Sequence, residues 1–324
     1  MNRLNHINLT KEACQILEDS YLVPDSRIDF IITANLSSDN NQKSSAIHFD
    51  NCAFREGAER VSHCKSLYTM VSDRFSKRSL RALGRLLHTV QDFYAHSNWI
   101  EFHESKNPIP LWDLNPNNLT AEIYSGYWAV GKPKIYNSIP PGHNKLNKDS
   151  VSSRESKIKV SSGINQGKTY FELAYQTALN ASKAELDKFI ENVKSYRVTT
   201  FTGDRVNAGT DADVFIILYD STGINTGRIY LDNYDRNDFR RGHTDVFIAG
   251  TNLNITELTK ISIGYATNDE DFVGDEPGWF LEKVSVEEIQ SAKTWTFNCN
   301  RWLATDKGDG LTIIDLKPVS VFPA

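Results

Sequence analysis

The sequence predicts two domains: an all-helical domain over residues 1–194, followed by an all-β antiparallel sandwich over residues 195–324. Three observations predict this order. A chain of 324 residues is long enough for two hydrophobic cores. An apolar run of helical character occupies residues 83–99. After Ser195, short runs of β-branched and aromatic residues alternate with turn residues.

The helices and strands can be placed in chain order. Helices are predicted over residues 10–21 with Thr10 as the N-cap, over 55–75, from Ser76 or Ser79 through 99, and over 165–193. Residues 104–165 are rich in Pro, Asn, Gly and Ser, and they predict a long loop. Eight strands are predicted from the runs YRVTTF, DVFIILY, GRIYLD, TDVFIAG, KISIGYA, GWFLEKVSV, KTWTFN and LTIIDL.

Composition narrows the class of protein. The chain is 40% hydrophobic and 24% charged, which is typical of a globular protein. It has no apolar run of eighteen residues, so no membrane span is predicted. The N-terminus MNRLNHINLTKEAC lacks the apolar stretch of a signal peptide. Three alternatives follow: a protein that starts inside a cell, a signal that was trimmed, or export by another route.

Charge and cysteine content restrict the binding partners and the kinds of cysteine site that the chain can have. Residues 195–324 carry 12 Lys and Arg against 20 Asp and Glu, a net charge of −8, whereas residues 1–194 carry +3. An acidic C-terminal domain argues against a nucleic-acid partner and permits divalent cations. The four cysteines show no CxxC spacing, so they predict neither a zinc–thiolate site nor a disulfide scaffold. A Cys52–Cys64 bridge stays open.

The helix over residues 83–99 carries the main functional signal. Between residues 86 and 100 its only formal charge is Asp92, which must be paired or coordinated if it is buried. His88, Asp92 and His96 stand at i, i+4 and i+8 and therefore share one helix face. Imidazole and carboxylate are zinc ligands. The alternative is a buried helix with two satisfied histidines and a structural aspartate. Gly84 lies on the same face and leaves room for another element.

Other residues of ligand type lie in the same domain. Seven of the eight histidines fall within the first 143 residues, an enrichment that helix packing does not require. The further candidates for metal binding are His6, Asp39, His48, His143 and Asp149, with Asp50 close behind His48. His63 and His103 are less well placed and are expected to lie off the site.

The segments HFDN, LGRLLHTVQDFYAHSNW and GHNKLNKDS resemble the heterokaryon-incompatibility C branch of the zinc-dependent phospholipase C superfamily. The resemblance covers most of residues 1–194 and implies an all-helical bundle with two or three zinc ions. By motif, it implies a first zinc on Asp39, His48, His88 and Asp92, a second on His96 and His143, and a third on His6 sharing Asp92. Asn147 stands where this superfamily has a glutamate ligand, so Asp149 is expected to substitute for it.

The chemistry implied by this resemblance is phosphodiester hydrolysis. Clustered zinc ions bind phosphate oxygens and lower the pKa of a bound water, and Asp39 would orient or deprotonate that water. The substrate would be a phospholipid. The aromatic residues over 124–136 would either enclose a quaternary ammonium head group or simply pack the loop.

The segments GTDADV, PGWFL and NRWL resemble a PLAT (lipoxygenase-homology) domain, which is an eight-stranded sandwich that docks on lipid or membrane proteins. Oxygen ligands from three loops would suit a calcium ion. The matching residues are Asn207, Gly209, Thr210 and Asp211 in the first loop, Asp232 and Asn233 in the second, and Asp275 in the third. Ordinary turn chemistry is the alternative, since Asp, Asn and Gly are common in turns.

Together, the two resemblances predict a zinc-dependent phospholipase C-like enzyme with a membrane-docking domain, the order found in toxin members of the superfamily. We expect a secreted or exported monomer that acts at membranes. A zinc nuclease and a non-catalytic, metal-stabilised membrane-binding or incompatibility-type protein are the alternatives.

Overall fold

The computed structural model describes residues 1–128, 141–255, 257–266 and 278–322. The helices within these ranges are α1 Arg3–Tyr21, α2 Asp25–Leu36, α3 Ser45–His48, α4 Phe54–Thr69, α5 Lys77–His96, α6 Trp99–Phe102 and α7 Tyr170–Phe189. The strands are β1 Lys194–Thr202, β2 Val214–Asp220, β3 Ile229–Tyr230, β4 Thr244–Thr251, β5 Leu258–Tyr265, β6 Trp279–Glu288, β7 Lys293–Leu303, β8 Ile313–Leu316 and β9 Ser320–Phe322. The helical domain followed by an antiparallel β-domain is confirmed.

The central element of the helical domain is α5. Every residue from Leu86 to His96 is buried, because α4 and α7 pack against this helix. At Gly84, α2 crosses α5 so closely that an added Cβ would lie 2.3 Å from the carbonyl oxygen of Ile31. The prediction that Gly84 leaves room for another element is confirmed.

Several predicted helix boundaries are wrong. Helix α1 begins at Arg3, so Thr10 is a buried residue in its middle rather than an N-cap; its hydroxyl accepts hydrogen bonds from other side chains. Helix α4 ends at Thr69 instead of residue 75. Helix α7 starts at Tyr170, where Thr169 and Glu172 form a capping box that fixes the first turn.

The β-domain contains two antiparallel sheets with strand orders β4-β1-β6-β7-β9 and β3-β2-β5-β8. Their inner faces form one core, in which Tyr196, Trp279 and Trp295 are fully enclosed. The eight predicted strand runs correspond to β1 through β8, while β9 was missed because it is only Ser320–Phe322 and is largely exposed.

The chain forms two compact units. The first comprises Met1–Ile16, Ile28–Met70 and Lys77–Ile190, and the second comprises Leu17–Arg27, Val71–Ser76 and Glu191–Ala324. Within the second unit, Asp73 and Arg74 hydrogen-bond to both backbone groups of Gly250 on the edge strand β4. A domain boundary near residue 195 stays a prediction.

Two smaller expectations can be compared with the structure. None of the described helices is both long enough and apolar enough to cross a bilayer. The possible Cys52–Cys64 bridge is not formed, and both residues are buried thiols.

Candidate metal centre

Asp92 lies at the centre of the ligand-type residues and is 1% exposed. Its Oδ2 atom is 2.8 Å from His48 Nδ1 and 3.1 Å from His88 Nε2. Its Oδ1 atom is 3.2 Å from His6 Nε2 and accepts a hydrogen bond from the Met1 amino group. The two oxygens of one carboxylate therefore face two different groups of potential ligands, which is the arrangement a bridging carboxylate requires.

Within the described part of the chain, four groups of side chains have ligand atoms within 4.8 Å of one another. These groups are His6–His88–Asp92, Asp39–His48–His88, Asp50–His96–His143 and Asp92–His96–Asp149. They share members, so they form one continuous cluster. All eight residues predicted as metal ligands belong to it.

The group predicted for the first zinc is brought together by three elements. His88 and Asp92 come from α5, His48 ends the short helix α3, and Asp39 lies in the 3₁₀ turn Ser37–Asn41. Asp39 Oδ1 is 3.7 Å from His88 Nε2, and the Asp39 side chain is 31% exposed. Asp39 is therefore on the open side of an otherwise buried group.

The structure agrees in part with the second predicted group. Asp149, expected to complete the group of His96 and His143, lies 2.9 Å from His96 Nε2 and near the Met1 amino group, and it groups with His96 and Asp92 rather than with His143. Asn147 donates a hydrogen bond to His143 Nε2 at 3.2 Å. His143 and His96 are nevertheless close, with ring centroids 4.4 Å apart.

Asp50 belongs to the cluster but was not among the predicted ligands. Its Oδ1 atom is 2.9 Å from His143 Nδ1 and 3.6 Å from His96 Nδ1. The left-handed backbone of Phe49 and Asn51 on either side of it turns the chain sharply at this point. The sequence signal was its place in the HFDN segment, two residues after His48.

Burial and charge set the protonation of the cluster. Burial lowers the pKa of His88 to about 4, with Asp92 opposing the shift, so this ring is neutral near pH 7, the form in which an imidazole binds a metal. Burial also disfavours a charged His96, but Asp149, Asp92 and Asp50 outweigh it and raise the pKa of His96 to about 9. A metal bound at His96 must therefore displace a proton.

Asp92 and Asp149 are held ionised. Burial favours the neutral acids, but the Met1 amino group and neighbouring histidines hold the pKa of each carboxyl well below its usual range. Burial likewise opposes charge on the Met1 amino group, but Asp149 and Asp92 raise its pKa to about 10. The cluster thus already contains anionic ligands at neutral pH.

The residues fit a bound transition metal. His6 Nε2 and His48 Nε2 are buried, and neither makes a hydrogen bond with any described residue. A buried nitrogen with no hydrogen bond is costly unless something else satisfies it. Neutral imidazole nitrogens beside ionised carboxylates are the donor set that zinc prefers.

The residues judged less well placed lie outside the cluster. His63 is exposed on α4, and His103 Nδ1 interacts with the Trp99 carbonyl oxygen at 3.0 Å. Among the aromatic residues over 124–136, Trp128 packs edge-on against His143 with centroids 4.8 Å apart, and Tyr136 lies outside the described residues.

Three of the predicted calcium ligands of the β-domain take part in hydrogen bonds with other protein groups. Thr210 Oγ1 accepts a hydrogen bond from the Ala212 amide, and the Asn233 side chain donates to Asp238 at 2.8 Å. The Asp232 carbonyl oxygen accepts a hydrogen bond from Arg27.

Three of the remaining predicted calcium ligands lie in the first loop. Gly209 packs closely against the Phe239 carbonyl oxygen, Asn207 has a φ of 61°, and Asp211 lies in the same loop. Asp275 lies outside the described residues. Over the described ranges, the His, Cys, Asp and Glu groups close enough to hold a metal all belong to the helical domain.

Comparison with known families matches both parts of the chain. The PLAT/LH2 domain family matches residues 196–314. The C-terminal domain is a PLAT domain. The VWA7 N-terminal domain family matches residues 10–121, which include most of the predicted ligands.

Individual relatives match between about a third and a half of this chain. Lipoxygenase homology domain-containing protein 1 of Homo sapiens is 37% identical over 155 residues, covering 48% of this chain and 7% of that protein. Polycystin-1-like protein 3 of Mus musculus is 34% identical over 114 residues, covering 35% of this chain and 5% of that protein. The chain therefore corresponds to a small part of these relatives.

Among solved structures, alpha-toxin of Clostridium perfringens aligns over 97% of this chain and 98% of its own, with 12% identity and a TM-score of 0.31. Coral 8R-lipoxygenase aligns over 38% of this chain and 17% of its own, with 25% identity and a TM-score of 0.31.

Proposed function

We propose that this protein is a zinc-dependent phosphoric diester hydrolase of the phospholipase C type, which releases phospholipid head groups at membranes. The observation that carries the proposal is that the two oxygens of the Asp92 carboxylate face different histidines. Its Oδ2 atom faces His48 and His88, while its Oδ1 atom faces His6. Such an arrangement would suit a centre that holds more than one metal ion.

The residues that would hold two or three zinc ions are those of the cluster: His6, Asp39, His48, Asp50, His88, Asp92, His96, His143 and Asp149. When bound, zinc supplies Lewis-acid stabilisation of the phosphate oxygens and a water acidic enough to react near neutral pH. The buried rings of His6 and His88 exclude bulk water from the inner side of the site.

Asp39 is the residue best placed to act as general base. It is the most exposed carboxylate of the cluster, and its Oδ1 atom lies 3.7 Å from His88 Nε2. A carboxylate on the open side can orient an attacking water and accept its proton while the phosphorus–oxygen bond to the glycerol breaks. Positioned general bases contribute about 10²–10⁴-fold to rate.

The PLAT domain supports a membrane-bound substrate over a soluble one. We propose that residues 195–324 dock the enzyme on a phospholipid surface, with calcium held by the loops containing Asp211 and Asp232. Docking of this kind would place an exported enzyme where its substrate is concentrated. The net charge of −8 over these residues disfavours a nucleic-acid substrate.

The test is a head-group release assay on vesicles of phosphatidylcholine, phosphatidylethanolamine, phosphatidylserine and phosphatidylinositol. The zinc-loaded full chain is expected to release phosphorylated head groups, to lose activity with chelator and to regain it with zinc. Asp39→Asn should lose about 10²-fold or more in turnover while retaining its fold. His63→Ala is the matched control, because His63 is exposed and outside the cluster.

Other outcomes would favour the alternative functions. Cleavage of single-stranded DNA without lipid hydrolysis would identify a zinc nuclease. A protein that binds zinc tightly and turns over neither substrate would be a metal-stabilised membrane-binding protein.

A further inference from the structure

Four buried polar residues lie directly behind the histidines of the metal centre. They are Thr10 of α1, Asn35 of α2, Gln91 of α5 and Ser182 of α7, and each is 0% exposed. We call these residues the amide network. Polar groups buried this completely in a helical core are retained only where their hydrogen bonds are satisfied.

The two amides of the network contact the two histidines on the side away from Asp92. Gln91 Oε1 is 2.7 Å from His6 Nδ1, and Asn35 Oδ1 is 3.2 Å from His88 Nδ1. On the opposite side of each ring, Nε2 faces Asp92 at 3.2 Å for His6 and 3.1 Å for His88. Each ring is therefore held between an amide and the central carboxylate.

The orientation of the amides follows from counting hydrogens. Asn35 Nδ2 donates to Thr10 Oγ1 at 3.0 Å and to Gln91 Oε1 at 3.1 Å. Gln91 Nε2 donates to Thr10 Oγ1 and to Ser182 Oγ, both at 3.2 Å. The Ser182 hydroxyl donates its own hydrogen to the Ala178 carbonyl oxygen at 2.8 Å, so it can only accept from Gln91.

Exchanging the oxygen and NH₂ positions of both amides would leave too few hydrogens for the hydrogen bonds of the network. Three contacts with hydroxyl oxygens would then join oxygen to oxygen, and only the Thr10 hydroxyl would have a hydrogen to give. Turning over one amide alone would place the NH₂ groups of Asn35 and Gln91, or their oxygens, against each other. The orientation with both amide oxygens toward the histidines satisfies every contact.

An amide oxygen accepts hydrogen bonds and cannot donate them. The ring nitrogens facing Gln91 and Asn35 must therefore carry the hydrogens, which leaves the Nε2 lone pairs of His6 and His88 directed toward Asp92. Without this network, the Asp92 carboxylate would attract the ring proton to Nε2, the atom that a metal needs. The geometry points to a specific role in choosing between the two tautomers.

We propose that Asn35 and Gln91, oriented by Thr10 and Ser182, are positioning residues that hold His6 and His88 in the Nδ1–H tautomer and prepare Nε2 for zinc. The inference rests on the proposed function only in naming zinc as the metal. The tautomers themselves are a property of the metal-free protein. Outer partners of this kind are typically worth about 10–100-fold in metal affinity.

The test uses the full chain labelled with ¹⁵N at histidine. Wild type is compared with Gln91→Met and Asn35→Leu, which keep a side chain of similar size but remove the amide oxygen that accepts from the histidine. In metal-free wild type at mildly alkaline pH, imidazole ¹⁵N spectra should show Nδ1–H on His6 and His88. Gln91→Met should move the proton of His6 to Nε2, and Asn35→Leu should do the same for His88. Zinc affinity, measured by competition with a chromophoric chelator, should fall about 10–100-fold in each.

Two controls separate positioning from general destabilisation. Gln91→Glu retains an oxygen acceptor at the His6 contact and should keep a hydrogen on His6 Nδ1, a readout that also serves if Gln91→Met does not fold. Asn165→Leu removes another buried amide of the helical domain, whose Nδ2 atom donates to the backbone carbonyl oxygens of Glu104 and Lys106 and not to a residue of the amide network. It should leave both tautomers and the zinc affinity unchanged.

Two results would overturn the proposal: Nε2–H tautomers in metal-free wild type, or folded Gln91→Met and Asn35→Leu with unchanged tautomers and zinc affinity. A wild type that shows the stated tautomers but binds no zinc would overturn the proposed function instead, while the role of the network in fixing the rings would stand.

Discussion

Replacing Asp92 with asparagine tests the metal centre most directly. Asp92→Asn keeps the shape of the side chain but replaces one oxygen by an NH₂ group and removes the only formal charge between residues 86 and 100. Asparagine can place a single acceptor toward either His48 and His88 or His6, but not toward both. The substitution therefore removes the bridging position as well as the charge.

The expected fall in turnover follows from losing both the charge and the bridging position. The carboxylate is 1% exposed, and water cannot replace the charge that it contributes to the cluster. Loss of one preorganised electrostatic group in an active site costs about 10²–10³-fold in turnover. Because Asp92 contacts both halves of the cluster, we expect a loss of about 10³-fold or more, which is about 4 kcal/mol of transition-state stabilisation.

The assay combines zinc content, turnover on phospholipid vesicles and a folding measurement by circular dichroism. His63→Ala is the control, since it removes an exposed histidine of α4 and should retain activity. If folded Asp92→Asn kept near-normal zinc content and turnover, Asp92 would be a structural hydrogen-bond acceptor and the metal-centre interpretation would be wrong.

Three further predictions concern the metals and the fold. Elemental analysis of metal-replete protein should find two or three zinc ions per chain, and less than one would contradict the cluster as a metal site. The full chain should sediment with anionic liposomes in calcium and stay in the supernatant with chelator, and Asp211→Asn should weaken this response; sedimentation independent of calcium would mean that the loops are ordinary turns. Thr169→Ala should lower the free energy of unfolding in urea by about 1 kcal/mol, because it removes the N-cap of α7. Hydrogen bonds from the Thr169 backbone and side chain lower the pKa of Glu172. The contribution of the Glu172 carboxylate to the free energy of unfolding is therefore present above the ordinary pKa of a glutamate and should be lost as the pH falls below that range. Equal stability of Thr169→Ala and wild type at neutral pH would refute the role of the cap.

Local patterns in the sequence determined the broad organisation. The spacing of His88, Asp92 and His96 predicts one helix face whatever surrounds the helix, because the helical repeat alone sets it. Runs of β-branched and aromatic residues similarly predicted β1 through β8, and burial follows the two-residue period of a strand over parts of β1, β2 and β6. Asp92 was predicted to be paired or coordinated because a lone charge in a buried run requires partners, and its bridging role came only from the family resemblance.

Tertiary structure decided which distant residues share a candidate metal group. Asp149 lies with His96 and Asp92, and Asp50 lies with His143, because the sharp turn around Asp50 and the path of the loop bring them there. These contacts join residues about 50 to 90 positions apart, and no local periodicity encodes them. The sequence therefore determined that helix α5 would present a ligand face, whereas packing against the rest of the helical domain determined which partners complete it.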